Sequence, residues 1–398
     1  MPTDLEARMT DRVGIVAAAQ TKYEASKPQL NNGELLFEVV EKVVNETGLK
    51  FEDQAGEGED LFINSIISSS EDYWAGRTIS DMMLHLELGA FAMHATKVAA
   101  DGAQAVYHGV ISILSGRHDV VLVAAHRKES ETIGSVIENA GLDPIYLQPL
   151  GIDFLAAAAL QARSYMQRYG LTQEQFAKVV VKNLKNAKNN LYAQRAMDIA
   201  VAEVLSSQVI ADPIKVLDAK PVSDGACALI LAKEEKAKRL TDRPIWITGI
   251  GNCYDAHYLG DRDLADCASL VLAAQRAYKM AGITDPRREI NVAEIADEYS
   301  YQELLWCEGL GFCERGNGGE LIDSGATEMS GDLPINPSGG LLSGVPSCVA
   351  GISRVAECFL QLRGEAGDRQ IEGAETALAQ GVTGACGQSQ CVIILSNR

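Results

Sequence analysis

Asn336-Pro337-Ser338-Gly339-Gly340 opens a run of small residues that extends to Gly351 and leads into a helix-period pattern ending near Arg363. Pro337 fixes one backbone angle, and the two glycines allow backbone angles or close approaches that a β-carbon would forbid. Such a turn at the start of a helix is a place where the backbone can approach a ligand. It can equally serve only to pack a strand closely against a helix, and this stretch alone leaves both interpretations open.

Length and charge exclude several classes of function. The 398 residues are enough for one large α/β unit or two domains. The formal charge of −19, from 54 acidic and 35 basic residues, disfavours binding to nucleic acid or to anionic membranes. The sequence shows neither a secretory leader nor an apolar run of membrane-spanning length, so we expect a cytoplasmic protein. The nine cysteines form no CxxC pair, and we therefore expect no metal site.

Alternating strand-like and helix-like segments predict an α/β fold with a mostly parallel first sheet. Buried strands are expected at residues 13–19, 62–67 and 119–125, and a small-residue helix from about 97 to 114. Residues 127–212 are mainly helical, with apolar residues three and four apart, and we expect them to cover the first sheet.

The second half of the chain repeats this alternation, which suggests a duplication. The predicted domains are an N-terminal half, an inserted helical loop domain and a C-terminal half, formed by residues 1–126 with 213–240, 127–212 and 241–398, respectively.

Five motifs together indicate a family. They are Ile210-Ala211-Asp212-Pro213, Pro221-Val222-Ser223-Asp224-Gly225-Ala226, Tyr258-Leu259-Gly260-Asp261-Arg262-Asp263-Leu264, Glu308-Gly309-Leu310-Gly311-Phe312-Cys313 and Asn336–Gly340. In these motifs the chain resembles the thiolase superfamily, and in particular the sterol-carrier-protein-type thiolases. The segment from Tyr258 to Leu264 resembles one found in thiolases that pair with a small zinc-ribbon/OB-fold subunit. The resemblance implies a five-layered α-β-α-β-α duplication and a coenzyme A thioester as substrate or ligand, with no covalently bound cofactor.

The catalytic residues that this family implies are missing. By resemblance, Ala99 stands at the position of the family's nucleophilic cysteine. Val345 stands at the position of the histidine in the Gly-His-Pro turn, and Val382 at that of the second cysteine. No cysteine precedes Cys227 and no histidine follows His257, so no shift of the alignment supplies the first two groups. Ala99 has no heteroatom and cannot carry an acyl group.

Four other residues are candidates for chemistry near the implied pocket. Glu298 and Tyr299 follow the strand that turns into the family's active site, and a buried glutamate with a tyrosine can perform general acid–base catalysis. Cys348 lies in the small-residue turn, and Cys386 lies four residues beyond Val382. In the alternative interpretation, Glu298 caps a turn or contacts an arginine, Tyr299 packs in the interior, and Cys386 is a core cysteine on a glycine-rich strand. Ser338, Gly339 and Gly340 are expected near the bound ligand, and Asp101 is either a polar group near the pocket or a helix-end charge.

Three functions remain open from the sequence. The first is a thiolase-like subunit of a heteromeric acyl-CoA-processing complex, which lacks the nucleophile and base and supports a catalytic partner chain. The second is an aldolase or lyase that acts on β-hydroxyacyl-CoA without a covalent cysteine intermediate. The third is a non-catalytic binding or scaffold protein. The expected partners are a second thiolase-like chain, a small zinc-ribbon/OB-fold protein, or both.

Overall fold

The computed structural model describes residues 12–76, 84 and 86–398, which form a mixed α/β fold. The strands are β1 (Val13–Gln20), β2 (Ser65–Ser69), β3 (Ala95–Val98), β4 (Val120–Lys128), β5 (Val209–Ala211), β6 (Ile214–Lys215), β7 (Asp224–Lys233), β8 (Ile245–Tyr254), β9 (Val292–Glu294), β10 (Thr376–Thr383) and β11 (Ser389–Ser396). The helices are α1 (Asn32–Thr47), α2 (Asp72–Ala75), α3 (Gly102–Leu114), α4 (Gly134–Ala140), α5 (Phe154–Tyr169), α6 (Gln173–Asn186), α7 (Val201–Ser206), α8 (Glu234–Leu240), α9 (Ala268–Ala281), α10 (Pro286–Glu289), α11 (Ser300–Gly309), α12 (Gly318–Asp323) and α13 (Ser347–Arg363). Within the described ranges, none of these helices combines the length and the apolar character that crossing a bilayer requires.

The strand order makes the duplication visible. Nine strands follow one another as β3-β2-β4-β7-β1-β8-β11-β10-β9, and β1 meets β8 through only three residue pairs. On one side of this junction, the antiparallel β7 lies between β1 and β4, and β2 pairs parallel with β4. On the other side, the antiparallel β11 lies between β8 and β10, and β9 pairs parallel with β10. The two halves therefore share one topology.

The prediction of a mostly parallel first sheet needs correction, because both neighbours of β7 are antiparallel to it. Strand β7 is buried along nearly its whole length. A strand covered on both faces has a continuous apolar sequence whichever way it runs, so its composition does not reveal its direction.

Three apolar clusters separate five layers. Helix α1 packs on the outer face of the first half's strands, with Leu35 and Leu122 in the same cluster. Helices α3 and α13 lie between the two sets of strands, where Val106 and Ile352 share a cluster. Helices α9 and α11 cover the outer face of the second half. This order of layers is the α-β-α-β-α arrangement that the resemblance implied.

The sequence pattern predicted that the inserted helices cover the first sheet, and this prediction is wrong. Tyr165 of α5 and Phe176 of α6 belong to the same apolar cluster as Tyr301 and Leu304 of α11, so this segment packs on the second half. Helical periodicity identified the apolar face of each helix correctly. It carries no information about which distant element that face meets.

The two central helices meet at their N-terminal ends. Asp101 is the N-cap of α3, and its Oδ1 accepts a hydrogen bond from the Ala103 N–H at 2.9 Å. Its Oδ2 accepts one from the Gly351 N–H of α13 at 2.8 Å. A β-carbon on Gly351 would lie only 1.7 Å from Asp101 Oδ1. This close contact brings two helix N-termini to one point, next to the ends of β4 and β10.

Candidate active site

A narrow cleft of about 50 Å³ lies where the N-termini of α3 and α13 meet. Charged residues make up much of its wall, together with two aromatic rings and the end of β10. The lining consists of Glu71, Trp74, Asp101, Arg127, Glu138, Phe154, Glu298, Ser347, Cys348, Val382, Thr383 and Gly384. It combines residues from both halves and from the inserted helices.

Two cations at the cleft, Arg127 in its lining and Lys220 close to Glu138, are held by carboxylates. Arg127, buried at the end of β4, pairs with Glu71 and lies 4.6 Å from the centre of the Trp74 ring. Lys220 Nζ donates to both carboxylate oxygens of Glu129, at 2.9 and 2.8 Å. Burial by itself would raise the pKa of Glu129, but Lys220 and Arg127 bring that pKa below its usual range. Glu129 is therefore an ionised anchor behind the cleft.

Glu138 and Glu298 are the two carboxylates best placed for proton transfer. Burial, and then the negative charge of Glu298, raise the pKa of Glu138 to about 7, against the opposing effect of Lys220. Its Oε2 accepts a hydrogen bond from the Phe154 N–H at 3.3 Å. Glu298 Oε1 accepts one from the Ser347 hydroxyl at 3.0 Å. A carboxyl group that titrates near neutrality beside a second carboxylate is a suitable arrangement for general acid–base catalysis.

Asp101 lines the cleft and also fixes its geometry. Burial raises its pKa to about 7, although Arg354 and two backbone N–H groups favour the charged form. Its own N–H donates to Thr383 Oγ1 at 2.8 Å. Asp101 therefore connects α3, α13 and β10. The sequence left two roles open for it, a helix-end charge or a polar group near the pocket, and in the structure it has both positions.

Cys348 is the one predicted cysteine that the described structure brings into the cleft. Its Sγ lies 3.1 Å from Ser69 Oγ and 3.6 Å from the Ala100 carbonyl oxygen. Burial raises the pKa of the thiol to about 12, and the charge of Arg127 only partly opposes this. Because the thiolate is the reactive form, Cys348 at neutral pH is a buried thiol and a weak nucleophile.

Tyr299 and Cys386 do not line the cleft. The Tyr299 ring is buried and stacks on Tyr301, with ring centres 6.5 Å apart, and burial holds its pKa well above the usual value. Cys386 lies in a small apolar cluster with Leu142 and Leu259, and burial raises the pKa of its thiol to about 12. Both residues have the packing environment that the sequence left as their alternative role.

Ser338 and Gly340 line a second, smaller cavity of about 20 Å³. The Ser338 hydroxyl donates to Glu294 Oε2 at 2.6 Å, and its N–H donates to Glu294 Oε1 at 2.9 Å. At Gly339 a β-carbon would lie 2.6 Å from the Ala187 side chain of the inserted segment. In this structure Gly339 allows close packing between the inserted segment and the second half, and a contact with a ligand stays a prediction.

The three positions that the resemblance assigns to the family's reactive groups have different surroundings. Val382 lines the cleft. Ala99 is exposed just after β3, and Val345 is buried and faces the second cavity. No heteroatom side chain stands at any of these positions, so the polar groups of the cleft come from other residues.

Arg127 and Glu138 are site residues that the sequence did not single out. Arg127 lies near the end of the buried strand β4, and a charged residue at that place in an apolar strand could have indicated it. Glu138 lies in a seven-residue helix of the insertion, and nothing local distinguishes it from a surface glutamate. Its position in the cleft depends on how the insertion packs.

Comparison with known proteins identifies two family models in this chain. The model described as "Thiolase, N-terminal domain" matches residues 13–235. The model described as "Thiolase C-terminal domain-like" matches residues 251–397. The two matches are separated by residues 236–250, which run from α8 into β8. The boundary is therefore close to the residues of β8 that pair with β1 at the junction of the two halves.

Individual relatives agree with these models. An acetyl-CoA acetyltransferase of Methanothermobacter thermautotrophicus is 35% identical over 382 residues, covering 94% of this chain and 97% of the relative. Sterol carrier protein 2 of Oryctolagus cuniculus is 39% identical over 223 residues, covering 54% of this chain and 40% of that protein. A solved structure titled "Ltp2-ChsH2(DUF35) aldolase" superposes with a TM-score of 0.81 at 24% identity, covering 97% of this chain and 98% of that one. At that identity the structural match establishes the fold alone.

Proposed function

This chain belongs to the thiolase family, in its sterol-carrier-protein type, and we propose that it makes or breaks a carbon–carbon bond of a β-hydroxyacyl-CoA by acid–base chemistry, without an acyl-enzyme. One observation carries this proposal: Glu138 and Glu298 line the same cleft, with the pKa of Glu138 raised to about 7. Acyl transfer by the usual route needs a thiolate. The thiol that this cleft contains has a pKa raised to about 12 by burial.

The proposed reaction is a retro-aldol cleavage. Ionised Glu138 accepts the proton of the substrate's β-hydroxyl group, the bond between the α- and β-carbons breaks, and its electron pair passes into the thioester as an enolate. The β-carbon leaves as an aldehyde or ketone. A proton returned from the carboxyl group to the α-carbon gives the shortened acyl-CoA, and in the opposite direction the same steps form the bond. Burial, and then the charge of Glu298, which is held by Ser347, keep the pKa of Glu138 at about 7.

We propose that this chemistry takes place in a heteromeric assembly with a small zinc-ribbon/OB-fold protein. The cleft of about 50 Å³ is far smaller than the roughly 300–1,000 Å³ of ligand pockets, so a second chain would complete the site. The segment from Tyr258 to Leu264, which carries the sequence resemblance to partnered thiolases, is near an exposed apolar region. The ring of Tyr258 lies 5.5 Å from that of the exposed Tyr146, and Ile145 and Leu150 are exposed nearby in the chain.

The small size of the cleft also favours a second candidate function. In that alternative, the chain has no chemistry of its own and supports a second thiolase-like subunit that contains an intact cysteine and histidine. The two candidates differ in whether Glu138 and Glu298 are needed for turnover.

The test is to purify the chain together with its small partner protein and to follow aldehyde release from 3-hydroxyacyl-CoA substrates. We expect cleavage by this pair, and at least a 100-fold loss of rate in Glu138→Gln and in Glu298→Gln. Glu320→Gln, at an exposed position on α12 outside the cleft, is the matched control. Cleavage that survives both cleft substitutions would contradict the proposed chemistry. A requirement for a second thiolase-like chain, with both variants fully active, would favour the supporting role.

A further inference from the structure

The acidic groups around the cleft outnumber the basic groups available to pair with them. This excess of acidic groups affects which acyl groups the cleft can bind. Arg127 is paired with Glu71 and lies 4.0 Å from Glu129. Lys220 is paired with Glu129. Among the residues that the structure describes, these two cations and these two carboxylates neutralise one another. Neither cation is left to receive an anionic group of a ligand.

In the described part of the lining, the remaining charged residues are acidic. They are Asp101, Glu138 and Glu298. Behind them lies Arg354, which is 3% exposed. The carboxylates of Asp101, Asp297, Glu294 and Glu298 all act on the single guanidinium of Arg354. Of these four, Asp101 and Glu298 line the cleft. At pH 8, above the pKa of about 7 that burial gives to Asp101 and to Glu138, the described part of the cleft therefore has excess negative charge.

The uncharged part of the lining fits an apolar acyl group. Phe154 and Trp74 supply aromatic surface, and Val382 supplies aliphatic surface. Glu138 and Glu298, each with one oxygen hydrogen-bonded to the protein, offer acceptors to a hydroxyl group of the ligand.

We propose that the cleft selects acyl groups that are neutral and rejects those that carry a second carboxylate, with Glu138 as the residue that sets this specificity. The inference rests on the proposed function, since it assumes that a CoA thioester enters this cleft. A ligand carboxylate placed among like charges in a partly dry site is repelled strongly enough to lower affinity by tenfold or more.

Butyryl-CoA and succinyl-CoA are the matched probes. Both have four-carbon acyl chains, and they differ in a terminal methyl group or carboxylate. Neither has a β-hydroxyl group, so binding can be measured by titration calorimetry without cleavage, with the chain in complex with its partner protein at pH 8. We expect succinyl-CoA to bind at least tenfold more weakly than butyryl-CoA. Glu138→Gln should reduce this ratio at least threefold, and Glu320→Gln should leave it unchanged.

The outcomes separate this inference from the proposed function. Equal affinity for the two thioesters, or tighter binding of succinyl-CoA, would overturn the specificity while leaving CoA thioester binding intact. Binding of neither thioester would overturn both. If Glu138→Gln does not give a folded complex by circular dichroism, Glu298→Gln takes its place, because it removes a charge from the same wall. An unchanged ratio in the folded variant would refute the assignment to the acidic wall.

Discussion

At the scale of one residue, Ala99 is where we predict that this chain differs from the family it belongs to. Its methyl group is exposed after β3, at the position where the family resemblance places a nucleophilic cysteine. Val345, at the corresponding histidine position, is 8% exposed and faces a different cavity. The polar groups of the cleft are instead Asp101, Glu138 and Glu298.

The first prediction concerns Ala99→Cys. We expect this variant to give no acetyl transfer between acetyl-CoA molecules, because a thiol at position 99 would have no neighbouring base at Val345. The measurement is release of free CoA, together with intact-protein mass after incubation with acetyl-CoA. A stable acetyl adduct accompanied by turnover would show that the cleft retains a base for thiol chemistry.

The second prediction concerns the native thiol of Cys348. Burial raises its pKa to about 12, so we expect at least tenfold slower alkylation by iodoacetamide at pH 7.5 than at the partly exposed Cys253. Peptide mass mapping over a time course measures both rates in one sample. If Cys348 were modified as fast as Cys253, the cleft would have to stabilise a thiolate.

At the scale of elements, the contact between α3 and α13 builds the site, and Gly351 makes that contact possible. A β-carbon at Gly351 would fall 1.7 Å from Asp101 Oδ1 and 2.6 Å from the Ala103 nitrogen. Both neighbours are held by the N-cap hydrogen bonds of α3, so neither can move aside freely. The cleft therefore depends on a residue without a side chain.

The third prediction follows from this contact. We expect Gly351→Ala to lower the free energy of unfolding by about 3 kcal/mol, as overpacking does when the surroundings cannot relax. Denaturant titration measures the change. Gly56→Ala is the control, because its nearest neighbour is the flexible end of Glu59 at 3.3 Å, and we expect an effect within about 0.5 kcal/mol. Similar losses in the two variants would argue against tight packing at α13.

At the scale of the whole molecule, three buried carboxyl groups from separate parts of the chain, Asp101, Asp297 and Glu294, surround the buried guanidinium of Arg354. Burial raises the pKa of Asp101 and of Asp297 to about 7, and it raises the pKa of Glu294 above its usual range. Arg354 is the buried cation that all three share. The interior is therefore more stable when these groups hold protons.

The fourth prediction is the resulting pH dependence of stability. A carboxyl group whose pKa is raised on folding binds more protons in the native state, so stability falls as pH rises towards the folded pKa. For Asp101 and Asp297 together, the loss between pH 6 and pH 8.5 is about 3 kcal/mol. We expect calorimetry to give a melting temperature a few degrees lower at pH 8.5 than at pH 6. Asp101→Asn should make this slope shallower, and a melting temperature that rises over this range would contradict the prediction.

The sequence by itself determined the family and the duplicated layers, and it showed that no cysteine precedes Cys227 and no histidine follows His257. Those conclusions depend on local motifs, on periodicity and on which residue types are absent from each half, and all of these are properties of the linear chain. It also placed Glu298 and Cys348 near the site, because both follow motifs that enter it.

The tertiary structure alone decided which groups share the cleft. Glu138 comes from the insertion, Arg127 from the first half and Glu298 from the second, and only packing brings them together. The same packing placed Tyr299 and Cys386 in apolar surroundings and the inserted helices on the second half. The raised pKa of Glu138 likewise arises from burial and from a neighbouring charge far away in sequence, and no pattern along the chain encodes either one.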